Sequence, residues 1–146
     1  PHAFSLTLRT ISDIILHVDA ARGDTVFGVG YVIEGEVSHS GQRPFYGTYT
    51  SMEAEFYALA EGLRVASVHS TSREYCEAYS DCQPLVDKMN GNERRRGDWE
   101  DYYDSCHWLL NKFDDWELNN CRRDLNEDAH ELARKALHQG RQSPKS

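Results

Sequence analysis

The chain has 146 residues, 39% of them hydrophobic and 11% aromatic, which is enough apolar material for one folded domain around one core. Its 24 acidic and 16 basic residues give a net charge of −8, which argues against a protein that holds nucleic acid by bulk electrostatics, so any such contact must be local. The early apolar run is short and is interrupted by His17 and Asp19, unlike a transmembrane helix or a signal peptide. We therefore expect a soluble, cytoplasmic monomer without an obligate protein partner.

The cysteines show neither a disulfide pattern nor metal-ligand spacing. Cys76, Cys82, Cys106 and Cys121 lie in or near apolar segments without a CxxC spacing, and the seven histidines show no HxxxH or similar arrangement. These features favour reduced thiols over a disulfide framework or a zinc site.

The pattern along the chain predicts one domain over residues 13–139. Residues 1–12 show little periodicity and are interpreted as an N-terminal extension. Residues 140–146 are polar and are interpreted as a disordered tail, after a last helix that Gly140 stops.

Three strands are predicted at the start of this domain. The alternating sequence IILHVDA predicts a first strand with Asp19 near its end. The β-branched and aromatic run Val26–Glu34 predicts a second strand that pairs antiparallel with the first, and its Gly28 and Gly30 indicate close approach of another backbone. A third strand is expected within residues 43–49, RPFYGTY.

A helix over Ser51–Ala66 follows, capped by Thr50 or by its own first residue, with apolar residues at i, i+3, i+4 and i+7. Glu53 and Glu55 near its start point in nearly opposite directions, because successive helical residues are about 100° apart. Glu55 lies one turn before Leu59, beside the buried stripe, and is the candidate for an inward carboxylate. The alternative for a glutamate at this place is compensation of the helix dipole in water.

A fourth strand is predicted over Glu74–Ser80, and Asp81 follows it directly. The preceding helix is a crossover, so this strand is expected to run parallel to a member of the meander. Asp81 then lies at the carboxyl end of a strand, where α/β sheets place active groups; alternatively it caps the next helix, which Pro84 begins.

An arginine-rich turn and a helix come next. Asn90–Asp98 contains three consecutive arginines, which are either solvated surface or a phosphate contact. Helical spacing resumes over Trp99–Phe113, and we expect Trp108 to pack in the core rather than to stack on a base.

The last predicted elements are a strand over Asp115–Cys121 and a helix over Glu127–His138 that Asn126 caps. The whole order is βββαβααβα, which indicates an α/β domain with a mixed sheet.

Three acids stand at element ends: Asp19, Glu55 and Asp81. Carboxylates brought together repel one another, so a cluster of them is stable only around a cation. Oxygen ligands suit Mg²⁺ or Mn²⁺, and two such ions about 3.5–4 Å apart activate water and stabilise the leaving oxygen in phosphodiester cleavage. The residues therefore indicate metal-assisted phosphoryl transfer.

In order and spacing, the motifs HVDAARG with GVGYVI, MEAEFYALAEGL, YSDCQPLV and NEDAHELARKAL resemble those of the type 1 ribonuclease H family, over Asp13 to about Leu137. The resemblance implies a five-stranded sheet in a ribonuclease H-like fold, cleavage of the RNA strand of RNA/DNA hybrids, and Mg²⁺ or Mn²⁺ as cofactor. It implies that Asp19 bridges two metal ions while Glu55 and Asp81 each hold one side.

The chain departs from the family at two places. His130 stands in NEDAHELAR where the family usually has Asp, and Asn119–Leu125 contains no counterpart of the mobile histidine that assists product release in many relatives. Three interpretations of His130 stay open. It is a metal ligand that favours Mn²⁺, a proton carrier, or a solvent-facing residue whose place Asp128 takes poorly or not at all.

Substrate recognition is expected through the wide minor groove and the 2′-hydroxyls of the hybrid, with phosphates of the DNA strand held nearby. A catalytically weak or silent nucleic-acid-binding module of the same fold is the alternative function, and a nuclease for another substrate is a further one. The candidate substrate contacts, chosen by position, are Ala20, Ala21, Arg22, Thr50, Ser51, Gln83, Arg94, Arg95 and Arg96.

Overall fold

The computed structural model describes residues 13–36, 38–70, 73, 75–91 and 97–142. They form one mixed, five-stranded sheet flanked by helices, in the predicted order βββαβααβα. Two short 3-10 turns cover Gly97–Trp99 and Arg123–Leu125. The strands and helices are β1 (Ile14–Arg22), β2 (Val26–Glu34), β3 (His39–Tyr46), α1 (Ser51–His69), β4 (Tyr75–Ser80), α2 (Gln83–Met89), α3 (Glu100–Leu110), β5 (Asp115–Asn120) and α4 (Glu127–Gln142).

The sheet has the strand order β3-β2-β1-β4-β5. β1, β2 and β3 form an antiparallel meander, whereas β4 runs parallel to β1 and β5 runs parallel to β4. The predicted crossover through α1 is therefore confirmed, and β1 occupies the centre of the sheet.

The main core lies between the sheet and α1. Leu16 and Val18 of β1 are fully buried against it, and a Cβ added at Gly62 would lie only 2.6 Å from Val18 Cγ1. A glycine at this position therefore brings the α1 backbone close to the central strand, which fixes the distance of the whole helix from the sheet.

α4 packs on the opposite face, over β2. A Cβ added at Gly28 would lie 2.3 Å from Ala133 O, and one added at Gly30 would lie 2.4 Å from Ala129 O. The predicted close approach of another backbone is therefore confirmed. Gly140 does not stop the helix, which continues to Gln142. Gly140 is buried, and a Cβ there would lie 2.4 Å from Val26 Cγ2, so this glycine serves close packing rather than termination.

Two other local predictions are wrong. The third strand ends at Tyr46, before Gly47, whose φ of +142° turns the chain; Tyr49 instead packs its ring edge-on to Phe27 at 5.1 Å between centroids. Trp108 is 64% exposed on α3, and Lys112 Nζ lies 4.1 Å from its ring centroid.

All four cysteines are free thiols, as the sequence predicts. Burial raises the pKa of both Cys76 and Cys106 to about 12, so these thiols behave as small apolar side chains. Within the described ranges, no helix is long and apolar enough to cross a membrane. The predicted N-terminal extension, residues 1–12, and residues 143–146 of the predicted tail lie outside the described residues. Residues 140–142, which were predicted to belong to that tail, are part of α4.

Candidate active site

Two of the candidate carboxylates belong to neighbouring parallel strands. Val18 of β1 pairs with Ser80 of β4, and Asp19 and Asp81 are the next residues along the two chain segments. The register therefore sets these two acids side by side. Both are buried, since Asp19 is 2% exposed and the Asp81 side chain 7%.

The start of α1 separates its two glutamates, as the helical geometry predicts. Thr50 Oγ1 accepts a hydrogen bond from the Glu53 amide at 3.1 Å, and Glu53 Oε1 accepts one from the Thr50 amide at 2.8 Å, which forms a capping box. The Tyr102 hydroxyl donates to Glu53 Oε2 at 3.0 Å. These hydrogen bonds, foremost that from the Thr50 amide, hold the pKa of Glu53 below its usual range.

Glu55, two residues later, is directed inward. Its Oε1 is buried and has no hydrogen-bond partner among the described residues. Burial, followed by the charges of Asp19 and Asp81, raises the pKa of Glu55 to about 8, and Arg123 offsets part of this effect. The three acids that the sequence singles out are therefore close enough to act on one another electrostatically.

His130, in the first turns of α4, contacts Asp19 directly. Its Nδ1–H donates to Asp19 Oδ2 at 2.8 Å, and its side chain is 20% exposed. Burial raises the pKa of Asp19, and the hydrogen bond from His130 lowers it in part. The solvent-facing interpretation of His130 is therefore wrong. Asp128 is the residue that is exposed, beside His17 in a shallow groove.

The structure adds two residues that sequence reasoning missed. Arg123 Nε lies 3.4 Å from Asp81 Oδ2, within ion-pair distance but without hydrogen-bond alignment. Asn126 is 1% exposed, and its Nδ2 donates to the carbonyl of Val18 at 2.9 Å instead of its side chain capping α4. A signal for Arg123 was present, because it follows β5 at the same sheet edge at which Asp81 follows β4.

The donor set fits a divalent cation in chemical type, since it consists of three carboxylates and an imidazole. Glu55 Oε1 and Asp81 Oδ2 are buried without a hydrogen-bond partner in the described part of the chain, and such oxygens are costly unless positive charge meets them. As the described side chains stand, no group of three His, Cys, Asp or Glu residues is arranged to hold a metal ion. The carboxylates would have to close around one.

The predicted substrate-binding residues differ in exposure and in whether their side chains already make hydrogen bonds within the protein. Ala20, Ala21 and Arg22 form the last part of β1, and Arg22 Nη1 donates to the carbonyl of Tyr49 at 3.0 Å. Ser51 and Gln83 are exposed at the starts of α1 and α2, with Gln83 Nε2 donating to Asp87 Oδ1 at 2.8 Å. Thr50 is occupied as the cap of α1. The three arginines Arg94, Arg95 and Arg96 lie outside the described residues.

Solved structures with the same fold come from ribonucleases H. RNase H1 of the halophilic archaeon Halobacterium salinarum is 26% identical, with a TM-score of 0.78 over 87% of this chain and 98% of that one. The N-terminal RNase H domain of a Mycobacterium tuberculosis protein is 21% identical, with a TM-score of 0.78 over 89% and 96%. LC11-RNase H1, from compost, is 22% identical in its complex with RNA/DNA hybrid, with a TM-score of 0.74 over 87% and 98%.

No curated protein sequence matches the chain significantly. The reverse transcriptase-like family, in contrast, matches residues 18–136, a range that includes Asp19, Glu55, Asp81 and His130. Because this match spans well over half of the chain, the protein belongs to the reverse transcriptase-like family and shares the fold of the type 1 ribonucleases H.

Proposed function

We propose that the protein is a metal-dependent endoribonuclease that hydrolyses the RNA strand of RNA/DNA hybrids. The observation that carries this proposal is the convergence of Asp19, Glu55 and Asp81 in one place, where Glu55 Oε1 and Asp81 Oδ2 are buried without a hydrogen-bond partner among the described residues. The family, together with a relative solved in complex with RNA/DNA hybrid, supports the substrate class.

In this proposal the carboxylates of Asp19, Glu55 and Asp81 would together hold two Mg²⁺ or Mn²⁺ ions. Such ions supply activated water and charge that stabilises the leaving oxygen. Burial of Asp19 and Glu55 keeps bulk water from screening these charges. The chain itself therefore contributes position and a dry environment.

His130 has two roles that agree with its contact to Asp19. With Nδ1–H donating to Asp19, Nε2 keeps its lone pair and is able either to bind a metal ion or to carry a proton. Direct ligation would favour Mn²⁺ over Mg²⁺, because imidazole suits softer ions. A proton carrier would act without such a metal preference.

Hybrid recognition is proposed through the minor groove, where backbone amides and short side chains reach 2′-hydroxyls. Half-buried and exposed residues next to the acids serve this purpose, and basic or hydroxyl side chains hold phosphates of the DNA strand. The proposed contacts to sugars and bases are Ala20, Ala21, Arg22, Ser51 and Gln83, and those to phosphates are Thr50, Arg94, Arg95 and Arg96.

The test is incubation with a labelled RNA/DNA hybrid in Mg²⁺ and, separately, in Mn²⁺. We expect the wild-type protein to cleave the RNA strand, and Asp19→Asn to reduce the rate at least about 100-fold, because it removes a central charge. Asp24→Asn is the matched control, since Asp24 is exposed in the turn after β1. No cleavage with either metal, or cleavage that survives Asp19→Asn, would contradict the proposal.

A catalytically silent binding module is the second candidate. It is favoured by one observation, namely that the chain's own groups already meet two of the acids: His130 donates to Asp19 and Arg123 pairs with Asp81. This candidate predicts hybrid binding by the wild-type protein without cleavage in either metal, so the same assay with a binding measurement separates the two.

A further inference from the structure

A groove of about 340 Å³ lies between the sheet and the start of α4, outside the group of acids described above. Its sheet side is formed by His17 and Val32, which are paired across β1 and β2. Leu125 and Ala129 supply apolar surface from the other side. We call this region the His17 groove.

Carboxylates border the His17 groove from both sides. Glu34 comes from β2, whereas Glu127 and Asp128 come from the first turn of α4, and all three are exposed. Burial lowers the pKa of His17, and the charges of Glu34 and Asp128 raise it in part, so both acids lie within electrostatic reach of one ring. A fourth acid, Asp124, already accepts two hydrogen bonds from the adjacent arginine. Among the described residues that line the groove, none is a lysine or an arginine.

A buried acceptor adds to these charges. Asn126 lines the groove and is 1% exposed. Its Nδ2 donates to the carbonyl of Val18 at 2.9 Å, whereas Oδ1, at the other end of the same amide, has no hydrogen-bond partner among the described residues. A buried oxygen of this kind is costly unless a donor meets it.

Compensation of the helix dipole is the simpler explanation for two of the acids. It accounts for Glu127 and Asp128, which lie in the first turn of α4. It accounts neither for Glu34, which lies on a strand, nor for Oδ1 of Asn126. What all these groups have in common is that a positively charged N–H donor would satisfy them.

The groove favours an organic cation over a metal ion. Within the described ranges, no three His, Cys, Asp or Glu side chains are arranged to hold a metal ion. A volume of about 340 Å³ is instead within the range of small-molecule sites. A linear polyamine carries ammonium groups that methylene segments separate, so it meets separated carboxylates and apolar surface at the same time. A single ammonium group meets the acids of one side alone.

We propose that the His17 groove binds an aliphatic polyamine. One ammonium group lies at Glu34, and a second lies at the first turn of α4, where it supplies a donor for Asn126 Oδ1. The methylene groups between them cover Val32 and Leu125. The assignment does not rest on the proposed nuclease function, since the three acids of the candidate active site do not line this groove.

The first test is calorimetric titration of the metal-free protein with cadaverine, spermidine and pentylamine. The salt concentration is about 0.15 M, at which attraction beyond about 8 Å is largely screened. Cadaverine and pentylamine have the same carbon chain and differ by one ammonium group. We expect cadaverine to bind about two- to fivefold more tightly, because its second ammonium group meets a second carboxylate. Spermidine should bind at least as tightly as cadaverine.

Glu34→Gln and Asp128→Asn test the two sides of the groove. Each should weaken cadaverine binding by about two- to fivefold and reduce its advantage over pentylamine, because one ammonium group loses its carboxylate. The matched controls are Glu131→Gln and Asp101→Asn, which each remove one charge from an exposed position outside the groove. Both controls should bind cadaverine like the wild type.

A measurement on the wild type locates the ligand without any substitution. In an NMR titration with cadaverine, we expect the largest amide shifts at Val32, Glu34 and residues 125–129. The later turns of α4 should show smaller shifts.

Three results would contradict the proposal. They are equal affinities for cadaverine and pentylamine, cadaverine binding that the controls weaken as much as Glu34→Gln and Asp128→Asn do, and largest shifts outside the groove. Binding of Mn²⁺ that is tighter than that of cadaverine, with the same amide shifts, would make the groove a metal site and also contradict the proposal. None of these readouts requires cleavage, so a failure of the nuclease function and a failure of the polyamine site are distinguishable.

Discussion

The two sides of the candidate site differ in charge and in origin. The carboxylate side consists of Asp19 in β1, Glu55 in α1 and Asp81, which directly follows β4. The donor side consists of Arg123, Asn126 and His130, which come from the connection after β5 and the start of α4. The first side concentrates negative charge in a buried place, and the second brings N–H groups to it.

The groups of the donor side contact only two of the three acids of the carboxylate side. His130 donates to Asp19, and Arg123 pairs with Asp81, but Glu55 Oε1 has no hydrogen-bond partner among the described residues. Glu55 is also the acid whose pKa rises to about 8. The unmet negative charge is thus concentrated on the glutamate of α1, which is where a divalent cation would contribute most.

Glu55→Gln tests this imbalance most strongly. We expect hybrid cleavage to fall at least about 100-fold, because the variant removes a charged oxygen from the site. In the metal-free protein at high pH, in contrast, the same substitution should stabilise the fold. With a pKa of about 8 folded and 4.5 unfolded, Glu55 binds more protons in the folded state between these values, so wild-type stability falls as pH rises from about 4.5 to about 8.

The measurement is the melting temperature over this pH range in the presence of a chelator. Glu55→Gln should melt higher than the wild type at pH 8 and show a smaller decrease with rising pH. Glu53→Gln is the control, because Gln keeps the capping box and the pKa of Glu53 is lowered, which places its effect below this range. Parallel curves for Glu55→Gln and the wild type would contradict an inward, crowded Glu55.

His130 tests the contact between the two sides. We expect His130→Ala to lower cleavage at least about tenfold, and His130→Asp to retain activity and shift preference toward Mg²⁺. In chelator, His130→Asp should melt below the wild type, because a carboxylate replaces a donor beside Asp19. The measurements are rates in each metal and thermal melting.

Asp128→Ala is the matched control for these variants, since Asp128 lies two residues away and is exposed. A His130→Ala variant as fast as the wild type would remove His130 from the mechanism. A large loss in His130→Ala that is equal in both metals would favour the proton carrier over the ligand.

Asn126→Ala should have the smallest effect. It tests the hydrogen bond by which Asn126 attaches the donor side to Val18 of the sheet. Loss of the Nδ2 donor leaves the Val18 carbonyl unpaired in a buried place, which lowers the free energy of unfolding by about 1–3 kcal/mol. Urea denaturation measures this change. Asn120→Ala removes a comparable bond to the Ser80 carbonyl, 3.2 Å long, from an exposed residue and should cost less, because water replaces it. Equal costs would mean that burial at Asn126 is unimportant.

The carboxylate side was predictable because each acid stands at an element end that local patterns reveal. Alternation locates β1 and β4, and the 100° step of the helix selects Glu55 over Glu53. Of the donor side, the sequence pointed to His130 through the family resemblance, but the contacts of this side were not predictable, because they join residues far apart in sequence. Asn126 has the residue type of an N-cap, yet its side chain donates to Val18, 108 positions earlier.

Packing also overrode two local signals. Gly140 has the residue type of a helix stop, but α4 continues past it because the glycine fits against Val26. Trp108 has the residue type of a core position, but α3 leaves it exposed under the Lys112 ammonium group. A residue type states what is favourable locally, and neighbouring elements decide which preference is used.

The sequence by itself determined the element order, the mixed sheet and the three acids, because periodicity and turn chemistry act over a few residues. The tertiary structure decided which groups meet those acids. His130 reaches Asp19 and Arg123 reaches Asp81 only because α4 packs on β2 and β5 lies beside β4. Such contacts depend on strand register and helix distance, which no short stretch of sequence encodes.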